Sequence, residues 1–291
     1  MTTLASGPRH FEIKRIQSKR MLFFLLWLAA CLLISVIYVG PILWMLLTAF
    51  KPLAEIRTWP PQLLPQNWTL ENFERAWVAM HWPRLFLNSA ILATTITVVN
   101  LTISSLAAFA FACLRFPYKH VIFLIVLATM IVPEQVDLIP RFLMMSQWGL
   151  VNTYVPLILL AAVHGFNIFL YRQFFQSLPQ EYFDAARVDG ASLFRIYRSI
   201  VMPLSWPATA TLFIFSFLGH WNAFLYPLIY LQNRELWTVQ LGLAFFSYTQ
   251  AGIPIGPMMA ASAFVALPPV IVYIIFQRYF MRGVVMSGVK G

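Results

Sequence analysis

Ionisable side chains are rare in the apolar parts of this chain, and one stretch holds several of them together. Glu134, Asp137 and Arg141 interrupt the apolar segment 121–145, which also contains two prolines. Spacings of three and four residues place them on one face of a helix, where Asp137 and Arg141 can form an ion pair. Two interpretations stay open. The three side chains line a polar pathway through the chain, or they form an internal ion pair where the prolines break a helix.

Motifs for catalysis and nucleotide binding are absent from the sequence. There is no G-x-x-x-x-G-K-[ST] loop for ATP phosphates, and neither H-E-x-x-H nor G-x-S-x-G occurs. The five histidines and two cysteines are scattered, without the spacing of a metal site or a disulfide framework. We therefore expect a non-catalytic chain that holds no cofactor and no metal ion of its own.

Neutral polar side chains within the apolar segments are further candidates for a substrate pathway. Asn88 and Asn222 are two of them. Hydrogen bonding between helices is the commoner role for such groups in membranes. Asn222 lies beside Trp221 and is the better candidate for a side chain that faces a cavity. The predicted pathway residues are Asn88, Glu134, Asp137 and Asn222.

The composition indicates which elements position these residues. The chain is 60% hydrophobic and 10% charged, whereas soluble domains carry about 25% charged residues. About 20 apolar residues make a helix that crosses a membrane, and the apolar runs lack the alternation of membrane β-strands. We predict an all-α integral membrane fold with six transmembrane helices, at 22–49, 86–113, 121–145, 154–174, 205–230 and 259–280.

The basic residues are distributed unevenly between the two sides of these spans. With both termini in the cytoplasm, most of the 20 Lys and Arg residues lie in cytoplasmic segments, as the positive-inside rule requires. They form no concentrated stripe, which argues against a nucleic-acid partner. We predict a cytoplasmic tail 1–20, a single transmembrane domain 21–284 and a cytoplasmic tail 285–291.

The polar loop 176–204 falls on the cytoplasmic side and has the pattern of a short helix in its first half. Pro179 suits the first turn of a helix. Glu181 and Asp184 suit the positive end of the helix dipole. We predict a short helix over 181–189.

The second half of this helix carries a small-residue pair and a stop signal. Ala185 and Ala186 form a patch that another protein can approach closely. Gly190 can adopt a left-handed conformation and end the helix. A second short helix is predicted over 191–201, so that the loop consists of two helices joined by a sharp turn.

The spacing within this loop resembles the signature of binding-protein-dependent ABC importer permeases. That motif reads E-A-A, three residues, G, nine residues, I, one residue, L-P. Residues 184–186 read D-A-A, Gly190 supplies the glycine, and Ile200, Met202 and Pro203 follow at matching spacing. Aspartate in place of glutamate keeps the charge, and methionine in place of leucine keeps the volume.

The resemblance implies that the loop is a coupling helix, which docks on a cytoplasmic ATPase subunit and converts nucleotide-driven closure into helix motion. The coupling residues that it implies are Glu181, Tyr182, Asp184, Ala185, Ala186, Asp189, Gly190, Ile200 and Pro203. ATP and magnesium would bind the partner ATPase. The implied partners are a second homologous permease subunit in a heterodimer, two ATPase subunits, an extracytoplasmic solute-binding protein and membrane lipid.

Other segments resemble the carbohydrate-uptake subgroup of these permeases, in particular the smaller permease subunit of maltose and sugar transporters. They are 50–52, 67–73, 221–228, 276–283 and 287–291. The subgroup implies a type I importer fold, a permease role for the domain 21–284 in a bacterial or archaeal cytoplasmic membrane, and transport of sugars, oligosaccharides, polyols or glycerol phosphates. The segment 247–257 either projects into the docked binding protein or simply connects two spans.

Three alternatives remain open from the sequence. The loop 176–204 can be read as an amphipathic linker on the membrane surface. An ion-coupled secondary transporter would need a membrane-buried ion site, often in paired broken helices. Only 134–141 qualifies, and it has no repeat partner. An intramembrane enzyme would need a clustered nucleophile, base or metal set, and none is visible.

Overall fold

The computed structural model describes residues 9–249, which contain helices, turns and loops, and residues 255–288, which form one helix; neither range contains a β-strand. The α-helices in chain order are α1 Arg9–Ala49, α2 Leu53–Ile56, α3 Glu71–Ala79, α4 Trp82–Cys113, α5 Lys119–Ala128, α6 Leu138–Gln147, α7 Val155–Ala161, α8 Gly165–Gln176, α9 Gln180–Val188, α10 Leu193–Ile196, α11 Met202–Leu204, α12 Trp206–Trp221, α13 Leu225–Tyr230, α14 Val239–Thr249 and α15 Ile255–Gly288. A π-helical turn, Tyr197–Val201, joins α10 to α11, and a 3₁₀ turn, Arg234–Leu236, precedes α14.

Three helices in the described part are long and apolar enough to cross a membrane. They are Phe23–Ala49 within α1, the whole of α4, and Ile255–Gln277 within α15. Two bent pairs raise this number to five if each pair is one span: α7 with α8, bent by 44°, and Leu193–Leu204 with α12, bent by 77°.

The predicted span 121–145 is broken, as its prolines and charges indicated. It consists of α5 and α6, ten residues each, separated by residues 129–137 without α-helix. Ten helical residues extend only about 15 Å, so neither helix crosses a membrane alone. Pro133 lies in the break and has no backbone N–H to donate to a continuing helix.

The predicted span 205–230 is wrong in its extent. The helix ends at Trp221, and Asn222 is its C-cap. A separate six-residue helix, α13, follows and contains Pro227. A continuous helix would bring the Pro227 ring against the carbonyl of Ala223, which is why the chain turns between the two.

The chain divides into two compact units. The first comprises the described residues up to Ala76 with 255–263. Within it, the Asn72 side chain is buried and donates hydrogen bonds to the carbonyls of Ala49 (2.9 Å) and Lys51 (2.7 Å). These bonds fold the loop that follows α1 back onto the end of that helix.

In the second unit, α4 is the central helix and packs against α7, α8, α12 and α14. Two buried asparagines link it to its neighbours. Asn167 on α8 donates to Asn100 Oδ1 (2.6 Å), and Asn100 donates to the carbonyl of Ala161 (2.7 Å). Buried amides are costly unless they are paired, so these bonds fix the register of the three helices.

One buried core in this unit includes the loop that carries the motif. We call it the α9 cluster. Its buried members are Leu101, Ala108, Phe109, Phe111, Phe123, Ile168, Tyr171, Phe175, Phe183, Ala186, Ile196, Tyr197, Val201 and Leu212. The motif loop therefore belongs to the same packed core as α4, α5, α8 and α12.

Candidate coupling site and polar pathway

The helix α9 begins and ends where its sequence signals indicate. Pro179 precedes it in an extended conformation, and Gly190 follows it with a φ of +73°. The Gly190 N–H donates to the Arg187 carbonyl (3.1 Å), and the Ala191 N–H donates to the Ala186 carbonyl (2.9 Å). This is the Schellman arrangement, which glycine favours because it has no β-carbon.

The two faces of α9 have different surroundings. Phe183 and Ala186 are buried in the α9 cluster, at 4% and 7% exposure. On the opposite face, Ala185 is exposed, Tyr182 is half exposed and Val188 is 88% exposed. One face anchors the helix in the chain, and the other exposes these three side chains beside charged side chains of the same helix.

The small-residue patch expected at Ala185 and Ala186 is therefore only half correct. Successive helical residues are about 100° apart, so Ala186 lies on the same side as Phe183 and faces the core. Only Ala185 is open to an approaching protein. The sequence could not decide this, because both positions carry the same residue type.

The predicted second helix, 191–201, runs instead from Leu193 to Leu204 and includes the π-helical turn. The Ser192 hydroxyl caps its start by accepting from the Arg195 N–H (3.3 Å). Within the turn, Tyr197 is buried and its hydroxyl lies 2.8 Å from Ser105 Oγ on α4. This hydrogen bond ties the motif loop directly to the central helix.

The remaining motif residues lie around these anchors. Ile200 is partly buried against the α9 cluster, and Pro203 is exposed in the first turn of α11. Asp184 is exposed and its carboxylate lies 3.1 Å from the Arg187 guanidinium. Glu181 and Asp189 are exposed as well. The outer surface also includes Leu193 at 51% and Phe194 at 64% exposure.

The pathway candidates in the broken span form the expected ion pair. Arg141 lies 2.5 Å from Asp137 Oδ2, one turn apart at the start of α6. Asp137 Oδ1 is buried and has no hydrogen-bond partner among the described residues. Glu134 is exposed, and its carbonyl accepts a hydrogen bond from the Tyr226 hydroxyl (3.3 Å).

The two asparagine candidates have different environments. Asn88 donates to the carbonyls of Glu235 (2.8 Å) and Trp237 (3.0 Å), which fastens α4 to the turn before α14. Asn222 is exposed at the end of α12, where its Oδ1 accepts from Gln240 Nε2 (3.1 Å). Asn88 thus holds the structure together, whereas Asn222 and Gln240 present an open amide pair.

Within the described residues, no hydrogen bond joins the Asn222 amide pair to the ion pair on α6. Gln240 was missed in the sequence, although it is a neutral polar residue in an apolar run, as Asn222 is. Tyr197 was missed because aromatic residues in such chains are common. In the same residues, no group of three or more His, Cys, Asp or Glu side chains is placed to hold a metal ion.

Residues 86–286 match the family described as "Binding-protein-dependent transport system inner membrane component". The chain belongs to this family. The match covers α4 to α15 and includes the whole motif loop. Recognition of the family from the motif spacing in 184–203 is thereby confirmed.

Three relatives of this permease family illustrate its transport roles. The chain is 33% identical over 253 residues to the diacetylchitobiose uptake system permease protein NgcG of Streptomyces coelicolor, covering 86% of this chain and 83% of the relative. It is 36% identical over 262 residues to the arabinooligosaccharides transport system permease protein AraQ of Halalkalibacterium halodurans, covering 89% and 93%. It is 37% identical over 236 residues to the sn-glycerol-3-phosphate transport system permease protein UgpE of Salmonella typhi, covering 78% and 84%.

The fold also matches chains of a solved ABC transporter. A chain of a bacterial ABC transporter involved in the import of the acidic polysaccharide alginate superposes with a TM-score of 0.77 at 22% identity, covering 95% of this chain and 100% of that chain. A second chain, from the alginate ABC transporter in complex with alginate pentasaccharide-bound periplasmic protein, gives a TM-score of 0.63 at 15% identity, covering 92% and 96%. The all-helical ABC permease fold is confirmed.

Proposed function

We propose that this chain is the membrane-spanning permease subunit of an ATP-binding-cassette importer for a carbohydrate or a related solute, such as an oligosaccharide, polyol or glycerol phosphate. Family membership and relatives that carry diacetylchitobiose, arabinooligosaccharides and glycerol phosphate support this class. An ion-coupled secondary transporter is the weaker alternative, because the family is defined by transport with a binding protein.

The observation that carries the mechanism is the two-faced packing of α9. Its inner face lies in the α9 cluster with residues of α4, α8 and α12. Its outer face exposes Tyr182, Ala185 and Val188. Because protein cores are close-packed and transmit displacement, a partner that moves the outer face also moves the ends of those helices.

The hydrogen bond between Tyr197 and Ser105 adds a second connection from the loop to α4. In this mechanism the partner is a cytoplasmic ATPase subunit, which binds ATP and magnesium. The chain itself carries no P-loop and supplies no catalytic group. Its part is to receive motion through 181–190 and to open and close a path for the solute.

The proposal includes a topology of six spans with both termini in the cytoplasm. The third of these spans is formed by α5 and α6 as a broken segment, and the loop 176–204 then lies on the ATPase side. The assembly contains a second homologous permease subunit, two ATPase subunits and an extracytoplasmic binding protein. The segment 250–254, within the predicted 247–257 loop, lies outside the described residues.

For the solute path, the Asn222–Gln240 amide pair is the better candidate. Both amides are accessible, and amides donate to and accept from sugar hydroxyls. The Asp137–Arg141 pair supports the start of α6 and has one free carboxylate oxygen. Asn88 is assigned a structural role, since both of its amide protons are used by carbonyls of the loop before α14.

The test is docking of the ATPase subunit on the outer face of α9. Val188→Asp places a charge on the most exposed large apolar side chain of α9, and we expect it to release the ATPase subunits during purification and to abolish ATP-dependent uptake. Val78→Asp is the matched control, because Val78 is 84% exposed near the end of another nine-residue helix, α3. A bulky change at Ala186 is a poor test, because it would disrupt the chain's own core.

Substrate class is measured separately, as stimulation of the assembled transporter's ATPase by its binding protein across a panel of sugars and glycerol phosphates.

Retention of the ATPase subunits and normal uptake in Val188→Asp would contradict the coupling assignment. Uptake in vesicles that lack ATP and ATPase subunits would favour ion-coupled transport.

A further inference from the structure

A basic cavity lies between the end of α4 and the start of α5, and two of its lining residues, Leu114 and Phe116, also pack against the α9 cluster. Its volume is about 460 Å³, and it is lined by Leu114, Arg115, Phe116, Tyr118, Lys119, His120 and Val121. Three of these seven side chains are basic types. The proposed transport mechanism gives this cavity no role.

The positive charge at this cavity has no carboxylate partner among the side chains that the structure describes, 23–247 and 255–277. None of these carboxylates forms an ion pair with Arg115, Lys119 or the nearby Arg172. Arg172 lies instead over the Phe123 ring, 4.2 Å from its centre. Burial, and then the neighbouring charges of Arg172 and Arg115, lower the pKa of Lys119. A bound anion would offset this mutual repulsion.

Hydrogen-bond donors also remain available there. Lys119 Nζ donates to the carbonyls of Leu114 (2.8 Å) and Ala112 (3.4 Å), which leaves one of its three protons. No side chain caps the start of α5, where Tyr118 has a φ of +58°. The backbone N–H groups of that first turn add to the side-chain donors of the cavity.

Beyond the cavity, the outward face of the same helix is entirely apolar. Val121, Ile122, Leu124 and Ile125 are between 41% and 62% exposed. A free inorganic anion would use only the basic cavity and would leave this face uncovered. A ligand with an anionic head and hydrocarbon chains matches both parts at once.

We propose that this cavity binds the headgroup phosphate of an anionic membrane phospholipid, with an acyl chain along α5. Arg115 and Lys119 contact the phosphate, and Leu124 and Ile125 contact the chain. Basic pockets next to apolar helix faces suit such lipids, because charge and hydrocarbon are both matched. Lipid binding here does not depend on transport and can be measured without it.

The experiment uses the full chain, purified in detergent with the subunits that co-purify with it. It is incubated with dioleoyl phosphatidylglycerol or dioleoyl phosphatidylcholine, and bound lipids are counted by native mass spectrometry. We expect the wild type to retain phosphatidylglycerol preferentially. Arg115→Gln is expected to reduce this retention about five-fold, the effect of one basic side chain near an anionic lipid, and Arg115→Lys to restore most of it.

Arg57→Gln is the matched control, because it removes the same charge from an exposed arginine in another loop and should leave retention unchanged. Leu124→Gln tests the chain contact independently of charge and is expected to reduce retention too. Unchanged retention in both Arg115→Gln and Leu124→Gln would overturn the proposal. So would displacement of the lipid by equimolar inorganic phosphate, which would identify a free-anion site. Loss of ATPase subunits from Arg115→Gln with unchanged lipid retention would identify a protein contact instead.

Discussion

Replacing Gly190 by alanine tests whether the turn after α9 transmits motion. At a φ of +73° an alanine is strained, and a left-handed conformation costs a non-glycine residue about 1–2 kcal/mol. No atom lies within 4 Å of the β-carbon that alanine would add. The whole effect is therefore backbone strain at the end of α9, without a steric clash.

A second glycine provides a control with the same local geometry. Gly149 has a φ of +69°, and its added β-carbon would also meet no atom within 4 Å. It ends α6 with the same pair of hydrogen bonds: Gly149 N–H to the Ser146 carbonyl (3.0 Å) and Leu150 N–H to the Met145 carbonyl (3.0 Å). Gly149→Ala should therefore destabilise its own turn by the same 1–2 kcal/mol.

The two variants are expected to differ in function. A cost of about 1–2 kcal/mol changes an equilibrium about 5- to 30-fold, so Gly190→Ala should lower ATP-dependent uptake by up to that factor. Gly149→Ala should leave uptake close to wild type. Asparagine tolerates the left-handed region better than other side chains, so Gly190→Asn should recover part of the loss.

The assay measures uptake into proteoliposomes together with ATP hydrolysis, and it compares thermal unfolding midpoints to confirm equal destabilisation. If both alanine variants lowered uptake equally, the effect would be general instability and the coupling role of the turn would be refuted. Normal uptake by a measurably destabilised Gly190→Ala protein would refute it as well.

The remaining predictions concern two hydrogen-bonded groups. Tyr197→Phe removes the 2.8 Å hydrogen bond to Ser105. A double-mutant cycle with Ser105→Ala, measured by thermal unfolding, should give a coupling energy of about 0.6–1.7 kcal/mol, as for other interhelical bonds in membranes. A coupling energy of zero would mean that the bond contributes nothing to stability. Burial opposes ionisation of Glu55, but hydrogen bonds from Gln66 and Asn67 outweigh it and hold the pKa of Glu55 below its ordinary value of 4.5. The ionised Glu55 carboxylate therefore stabilises its loop fully above pH 4.5. This stabilisation is lost as the pH falls through the lowered pKa that Glu55 has in the folded protein. Amide exchange at Gln66 should show this loss, and Glu55→Gln should abolish its pH dependence; an unchanged profile would contradict the reasoning.

Local signals in the sequence were enough to place the main elements of the site. Gly190 ends α9 because the chain needs a left-handed residue there, and glycine is the type that marks such a position. The Asp137–Arg141 ion pair followed from opposite charges one helical turn apart. The end of the helix and the ion pair both depend on residues close together in the sequence, so they can be predicted from the sequence alone.

What the sequence could not provide was the direction in which side chains point. Ala185 and Ala186 are identical in type, yet only the packing of Phe183 determines that Ala186 is buried. Asn88 and Asn222 looked alike for the same reason, and the partners that distinguish them, Trp237 and Gln240, lie 149 and 18 positions away. The early end of α12 at Trp221 also depends on how Pro227 is accommodated further along.

The π-helical turn at Tyr197–Val201 gives the motif spacing a geometric meaning. A π turn holds one residue more than the α-helical turn that it replaces, and this one spans the end of the nine-residue interval after Gly190, the isoleucine and the residue that follows it. The fixed count in the motif therefore includes an inserted residue, which rotates everything after it by about a quarter turn relative to an uninterrupted α-helix. The spacing of the motif therefore corresponds to a rotation of the helix that follows the π turn. This rotation sets which side of α11 faces the core.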